Sequence, residues 1–145
     1  MSLAPYELEQ IARVWHAALA DVPGPAQPPP AEVLLRRITG DLARCHIAVA
    51  RNGPEIVGFV AYDQDERWLR QLFVHPESQG MGIGTRLLAT AMQAMPVGWL
   101  RTDETNERAR RFYLGRGLRV RSTGPHPVTR APVVEFECAL SGGRR

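Results

Sequence analysis

The stretch FVHPESQGMGIGTRLL, residues 73–88, constrains the fold more than any other part of the chain. An apolar, β-branched run ends at a proline, and three glycines follow within five residues. An amphipathic pattern containing Ile83, Leu87 and Leu88 begins directly afterwards, so the order predicts a strand, a short loop and a helix. Glycine beside a helix start allows close approach of a ligand, and the unpaired N–H groups of the first turn attract an anion. The pattern therefore favours a diphosphate-binding loop over a flexible linker.

Three phosphate-binding designs differ in the spacing of their residues. A Walker loop requires GxxxxGK followed by Ser or Thr, and the chain contains no lysine. A dinucleotide fingerprint, GxGxxG, requires glycine or alanine at Thr85 and a strand that ends at the first glycine, whereas residues 76–79 intervene. An acidic pair at Asp103 and Glu104, about twenty residues further on, keeps that design open. The third design, Q/RxxGxG/A, is matched by Gln79, Gly82 and Gly84.

Periodicity before this loop predicts two helices and three strands. Tyr6 to Ala20 and Ala31 to Arg44 have apolar residues at helical spacing, with Leu42 among those expected to face inward. Between them VPGPAQPPP, residues 22–30, is too rich in proline for helix or sheet and predicts an extended crossing. Residues 46–76 predict three adjacent antiparallel strands joined by RNGPE and DQDE turns.

The pattern after the loop completes a mixed α/β chain. Pro96 ends the third helix, VGWLRT predicts a short strand, and NERARRFYLGRG predicts a helix capped by Thr105 at its start and Gly117 at its end. LRVRS and VVEFECAL predict two final strands. By length and the lack of repeats we expect one domain over residues 1–145, with 141–145 as a frayed tail.

Composition restricts the partners. All eighteen cationic side chains are arginine, and seven of them lie between Arg101 and Arg121. These arginines lack the interleaved aromatics of a nucleic-acid motif, so a smaller polyanion explains them at least as well, and we expect no nucleic-acid partner. Cys45 and Cys138 have no metal-ligand spacing, which predicts no metal and favours small core residues. No apolar run approaches the ~20 residues that span a bilayer, so we expect a soluble cytoplasmic protein.

Two segments, residues 69–88 and 102–120, resemble the GNAT superfamily of acetyl-CoA-dependent N-acyltransferases. The glycine loop is followed about twenty residues later by N-x-x-A-x-x-F-Y and a glycine before the next strand. The matching residues are Asn106, Ala109, Phe112, Tyr113 and Gly117. The resemblance implies a central, mostly antiparallel twisted sheet, splayed between the family's fourth and fifth strands and flanked by about four helices. Relatives begin with a strand before the first helix, and with only Met1 to Pro5 in that place we expect this strand to be short or missing.

The resemblance also implies an acetyl-CoA site without metal. Main-chain groups of Leu72, Phe73 and Val74 would pair with the pantetheine arm like an added strand. A bulge in that strand would free the Val74 N–H to face the thioester carbonyl. Asn106 would contact the pantetheine, and Arg116 the adenosine phosphates. The loop residues implied to hold the diphosphate, largely through backbone amides, are Gln79, Gly80, Met81, Gly82, Ile83, Gly84 and Thr85.

Tyr113 is the candidate general acid. Asn106, Ala109 and Tyr113 share one helix face, and the small Ala109 leaves room for a ligand between them. In the family's reaction an uncharged primary amine attacks the acetyl carbon and CoA leaves as a thiolate. A phenol within reach can hydrogen-bond to that sulfur or protonate it. Packing of Tyr113 in the core is the structural alternative.

The sequence defines the general base and the acceptor pocket less closely than the general acid. Relatives place a glutamate where this chain has Trp68, which leaves four substitutes: Asp63, Asp65, Glu66 and His126. A water relay or capture of the neutral amine needs no side-chain base. Trp15 and Trp68 fall in segments that would line the acceptor pocket, although Trp15 is equally consistent with core packing.

Three functions of different classes are compared. The first is an N-acetyltransferase acting on a primary amine of a small molecule, peptide or protein. The second is a non-catalytic module that binds acyl-CoA and senses it. The third is a basic nucleic-acid binder, whose affinity would fall steeply with salt. Self-association as a homodimer through the last strands is a further expectation.

Overall fold

The computed structural model of the protein describes residues 3–22, 27–41 and 43–138. This part of the chain contains four α-helices and six strands. The helices are α1 (Pro5–Ala20), α2 (Ala31–Asp41), α3 (Ile83–Ala94) and α4 (Glu107–Gly115). The strands are β1 (His46–Asn52), β2 (Glu55–Asp63), β3 (Trp68–Val74), β4 (Trp99–Asp103), β5 (Leu118–Pro125) and β6 (Pro132–Cys138).

The strands form one sheet in the order β1-β2-β3-β4-β6-β5. All neighbours are antiparallel except β3 and β4, which run parallel. These two strands pair at only two positions, Trp68 with Trp99 and Leu69 with Leu100, and separate beyond them. The sheet therefore opens into a V between β3 and β4, which confirms the predicted splayed, mostly antiparallel sheet.

The expected elements are present with shifted ends. Helix α1 begins at Pro5, where the fixed φ of proline suits a first helical residue, and the Glu7 side chain accepts a hydrogen bond from the Ala4 N–H at 2.8 Å. Residues 3 and 4 form no strand before it, as predicted. Helix α2 ends three residues earlier than expected, just after Gly40, a residue of poor helix propensity. Residues 27–30 of the proline-rich crossing are neither helix nor strand.

Several predictions fall outside the described residues. These are the inward position of Leu42, residues 23–26 of the crossing, the last two residues of the final strand, and the tail at 141–145.

The predicted cap of α4 is wrong by one residue. Asn106, and not Thr105, holds the N-cap position, because the Asn106 Oδ1 accepts a hydrogen bond from the Ala109 N–H at 3.1 Å. Gly117 lies beyond the helix end with φ +91°, as its predicted capping role requires.

Apolar side chains pack on both faces of the sheet. On one face α3 covers β2 and β3 while α4 packs on β5, enclosing Leu69, Leu100 and Phe136. On the other face α1 covers β2 and β3 around Phe59 and Trp15, and α2 packs against α1. Of the two cysteines, Cys138 is buried in the first cluster and Cys45 is half-buried beside the second. Among the described residues no helix combines the length and apolar character that crossing a membrane requires.

Candidate active site

A cavity of about 440 Å³ lies beside the part of β3 that has separated from β4. Its walls are the end of β3, the glycine loop, the first turn of α3, one side of α4 and the end of α1. Most of the site residues expected from the sequence line it. They are Leu72, Phe73, Val74, Gln79, Gly80, Gly82, Ile83, Gly84, Thr85, Asn106 and Tyr113.

The glycine loop takes a conformation that other residues disfavour. Gly80 and Gly82 have φ values of +84° and +81°, and Gly82 is the N-cap residue of α3. Gly84 differs from these two, because it has no left-handed φ and a Cβ there would make an ordinary contact with the Phe112 ring at 3.4 Å. The first turn of α3 carries no acidic side chain. Its N–H groups and the helix dipole therefore face the cavity as an anion site. Met81, which is 67% exposed, does not line the cavity.

Strand β3 directs main-chain groups into the V. The His75 N–H donates to the Val57 carbonyl at 2.8 Å, and Val74 and Leu72 pair with Gly58 and Val60 in the same register. In an antiparallel ladder the hydrogen-bonded pairs alternate with pairs whose N–H and C=O groups point away. The main-chain groups of Leu72 and Val74 therefore point away from β2 and towards the gap, where β4 has separated.

Strand β3 contains the predicted bulge, but the bulge lies four residues before Val74 and is not what frees the Val74 N–H. The register between β2 and β3 shifts so that Ala61 faces Gln71 and Tyr62 faces Leu69, which leaves Arg70 as the extra residue. The Val74 N–H reaches the gap through ordinary alternation, and the bulge turns the Arg70 side chain instead.

Gln79 contributes its side chain as well as its backbone. Its Nε2 donates to the Val74 carbonyl at 3.1 Å, and its Oε1 accepts a hydrogen bond from Arg108 Nη1 at 3.2 Å. The same Arg108 nitrogen donates to Asp21 Oδ2 at 2.8 Å, so this guanidinium connects α4, the loop and the end of α1 beside the cavity. Sequence analysis did not single out Arg108, whose only signal was membership of the arginine-rich segment.

Arg116 also lies at the cavity, as the resemblance implied. Its Nε donates to Thr85 Oγ1 at 2.9 Å, and its guanidinium lies 4.7 Å from the centre of the Phe112 ring. Two arginines therefore flank the anion site formed by the first turn of α3.

Tyr113 lines the cavity from α4 and is 8% exposed. Its ring packs against Phe112 and Phe136, with centroids 5.2 and 5.7 Å away. Burial raises the pKa of Tyr113 above its ordinary value of 10.0, because the phenolate would lose hydration. The phenol therefore stays protonated at neutral pH and can donate a hydrogen bond. Asn106, about two helical turns earlier, uses Oδ1 as the cap and leaves Nδ2 as the donor that can reach a ligand.

The carboxylates and the histidine considered as a base lie elsewhere. Asp63 is buried, and its Oδ1 accepts a hydrogen bond from the Glu66 N–H at 3.2 Å in the β2–β3 turn. His126 Nδ1 accepts from two backbone N–H groups of its own loop. Asp65 lies in the same turn as Glu66. Of the described residues that line the cavity, none is an aspartate, a glutamate or a histidine.

The two tryptophans occupy different environments. Trp15 is 3% exposed and packs against Phe59 and Phe73, which supports the core-packing alternative and does not place it at the cavity. Trp68 lies at the closed end of the V, where its ring stacks on Trp99.

A sheet with two separating parallel strands, one of which leads through a glycine loop into a helix, is the architecture of GNAT-fold proteins. The model of the acetyltransferase (GNAT) family matches residues 11–118 of this chain, and the chain belongs to that family.

Known proteins similar to this chain agree with that family. A curated relative, an uncharacterized N-acetyltransferase from Archaeoglobus fulgidus, is 38% identical over 92 residues. The match covers 54% of this chain and 63% of the relative, so the chain spans less than two thirds of that protein. The solution structure of apo YjaB from Escherichia coli has a TM-score of 0.77 at 21% identity, covering 94% of both chains. The PaiA N-acetyltransferase of Thermoplasma acidophilum, solved with coenzyme A, has a TM-score of 0.75 at 18% identity, covering 94% of this chain and 96% of that one.

Proposed function

We propose that this protein is an N-acetyltransferase that moves the acetyl group of acetyl-CoA directly to a primary amine of a small molecule, peptide or protein. The observation that carries the proposal is one cavity that joins an anion site, open strand main chain and a buried phenol. A diphosphate, a peptide-like arm and a sulfur occur in that order in acetyl-CoA.

The residues present fit this molecule. The first-turn amides of α3, with Arg108 and Arg116 beside them, suit the diphosphate and the adenosine phosphate. The main-chain groups of Leu72 and Val74 that face the gap suit the two amides of the pantetheine arm, as in strand addition. When bound, acetyl-CoA supplies a thioester whose sulfur is a good leaving group.

Tyr113 is assigned to the leaving sulfur. Because burial raises its pKa, the phenol holds its proton through the physiological range and acts first as a hydrogen-bond donor to developing negative charge. Positioned catalysis of this kind contributes about a hundredfold or more in rate.

The amine is expected to arrive neutral. With no carboxylate or histidine among the described cavity residues, the acceptor would lose its proton to solvent or through water. The rate should therefore rise with pH until the acceptor amine is deprotonated, while Tyr113 remains protonated.

The test is thiol release from acetyl-CoA with a panel of primary amines and lysine peptides, in the wild type and in Tyr113→Phe. We expect turnover of that variant to fall on the order of a hundredfold with CoA affinity within about twofold of the wild type. Tyr62→Phe is the matched control, because Tyr62 stacks on His46 away from the cavity and should keep wild-type turnover.

Two outcomes would contradict the proposal in different ways. A loss of less than about threefold in Tyr113→Phe would remove the phenol from the mechanism. Tight CoA binding without turnover of any amine would instead favour the non-catalytic sensor. A cytoplasmic location and a homodimer stay predictions.

A further inference from the structure

Two tryptophans stack at the closed end of the V. Trp68 of β3 and Trp99 of β4 face each other in register, with ring centroids 5.2 Å apart and planes 3° from parallel. The Arg70 guanidinium lies 4.3 Å from the Trp68 ring centre, and that of Arg121 lies 4.4 Å from the Trp99 ring centre. The two cations therefore cover opposite ends of the tryptophan pair. The Arg101 guanidinium lies beside both rings, 5.8 Å from the Trp68 ring centre and 5.3 Å from the Trp99 ring centre. We call these five residues the Trp–Arg platform: Trp68, Arg70, Trp99, Arg101 and Arg121.

Two β-bulges aim arginines at this stack. Arg70 is the extra residue where the β2–β3 register shifts, and Arg121 is the extra residue where the β5–β6 register shifts between Val120 and Ser122. A bulge re-aims one side chain and is common next to active sites. Irregularities in two separate strand pairs, each placing a guanidinium on one of two stacked rings, indicate a built arrangement.

The platform keeps an excess of positive charge. Glu135 is its acidic partner and accepts hydrogen bonds from Arg101 at 3.0 and 3.2 Å and from Arg121 at 3.1 Å. Burial opposes ionisation of Glu135, but the hydrogen bonds from the two arginines outweigh it and lower its pKa, so this carboxylate is charged at neutral pH. Two guanidiniums, those of Arg101 and Arg121, thus share one carboxylate. The neighbouring Arg119 is already paired with Glu137.

The two tryptophans of the platform lie beside the point where β3 and β4 separate. Leu69 and Leu100 face the core under α3 and α4, so the alternating side chains of Trp68 and Trp99 lie on the opposite face of the sheet. Arg70 and Arg101 are the first residues beyond the last paired position of β3 and β4. Arg70 is two residues before Leu72, or about 7 Å along the strand. An acceptor that enters from this face would meet the platform before it reached the thioester.

We propose that the Trp–Arg platform binds a carboxylate carried by the acceptor amine. This inference rests on the proposed function and adds a substrate class to it. The guanidiniums of Arg70 and Arg121 cover the tryptophan rings, so the platform offers N–H donors rather than a bare aromatic surface. Arg101 and Arg121 have N–H groups beyond those that bond Glu135, and a guanidinium edge matches a carboxylate with two parallel hydrogen bonds. Guanidiniums already held by stacking lose little freedom when they bind.

The test compares acceptors that differ only in charge. The probes are ω-amino acids with two to five methylene groups between amine and carboxylate, the corresponding ω-amino amides, and aminoalkyl phosphates of the same lengths. For at least one length we expect kcat/KM for the acid to exceed that for the amide about tenfold or more, since hydrogen bonds to charged groups are the strong ones.

Variants expected to lower and variants expected to raise the preference for acids identify the residues that bind the carboxylate. Arg101→Gln combined with Arg121→Gln should bring the acid-to-amide ratio of kcat/KM to within about twofold of one. Glu135→Gln should raise the acid-to-amide ratio several-fold, because it releases the guanidiniums of Arg101 and Arg121. If the two arginines had only a structural role, this gain would not occur. The matched control is Arg119→Gln, from the same strand as Arg121 but paired with Glu137, which should keep the wild-type ratio.

A binding measurement separates failure of this inference from failure of the proposed function. If no amine is acetylated, the indole N–H resonances of Trp68 and Trp99 are followed by NMR during titration with the same acids and amides. Shifts caused by the acids alone, absent in the double arginine variant, would support the platform without any turnover. Shifts from neither series would overturn it.

Three further results would also overturn the inference. One is equal turnover of acids and amides by the wild type, which would leave the acetyltransferase intact. Another is a preference for the aminoalkyl phosphates over the acids. The third is a concentration-dependent dimer, measured by light scattering, that the double arginine variant abolishes, since this would make the platform a contact between two copies of the chain.

Discussion

Replacing Gly82 with alanine tests whether the left-handed turn before α3 is required. Gly82 has φ +81°, and a Cβ built there meets no atom within 4 Å, so the substitution introduces backbone strain without a steric clash. The left-handed conformation costs an L-residue about 1–2 kcal/mol, and alanine recovers about 0.4–1 kcal/mol by restricting the unfolded chain. The net loss of unfolding free energy is therefore about 0–1.6 kcal/mol if the turn is kept, and about 0.8 kcal/mol at the middle of both ranges.

The middle value corresponds to a fall in Tm of about 2–3 °C for a chain near this size. If the loop relaxes instead, the strain disappears but the first-turn amides of α3 no longer point at the diphosphate. CoA affinity would then fall about tenfold or more, because each lost bond to a charged group is worth about 1.5–3 kcal/mol. Thermal unfolding with and without CoA, together with calorimetric titration, measures both quantities.

The control is the same substitution at Gly115, the last residue of α4. Gly115 has no left-handed φ and open space around its Cβ position, so alanine there should raise stability by about 0.4–1 kcal/mol and leave CoA binding unchanged. A Gly82→Ala protein with both the Tm and the CoA affinity of the wild type would refute the reasoning.

Three other predictions follow from the contacts of single side chains. Asp21→Asn removes the carboxylate that shares Arg108 with the loop, so CoA should bind a few-fold tighter at low salt and gain less at high salt. Calorimetric titration measures both affinities, and weaker binding would contradict this. A hydrogen bond from the Ala4 N–H, with help from Arg51, lowers the pKa of Glu7 below 4.5, so the stability that the Glu7 carboxylate contributes is present above that pH and lost as the pH falls. Between pH 5 and pH 3, Glu7→Gln should therefore lose less stability in urea unfolding than the wild type. An equal loss would refute this. Because burial raises the pKa of Tyr113, ultraviolet titration at high pH should show one tyrosine that ionises after the others, and Tyr113→Phe should remove that last step rather than an earlier one.

Much of the candidate site could be predicted from local pattern. The spacing of Gln79, Gly82 and Gly84 before an apolar helical face predicts the loop and α3 together. A left-handed turn and an amphipathic helix both depend on residues that are close together in the sequence. The expectation that Tyr113 and Asn106 share one helix face depends only on helical periodicity, and both line the cavity.

Other features were decided by strand pairing. The bulge lies at Arg70 rather than near Val74, since its position depends on the register between β2 and β3, which periodicity does not report. Thr105 and Asn106 are both residue types that can cap a helix, and the cap of α4 is Asn106 because its Oδ1 accepts the hydrogen bond from the Ala109 N–H.

The chain's own order of residues determined the glycine loop, the helices beside it and the phenol on α4, all of which depend on contacts within a few residues. Only the tertiary structure brought Trp68 and Trp99 into one stack and placed Arg70 and Arg121 over it. These residues come from three strands, and their proximity depends on the sheet order β1-β2-β3-β4-β6-β5 and on two register shifts. Pairing between distant segments is a property of the whole packed sheet, so no local pattern in the sequence contains it.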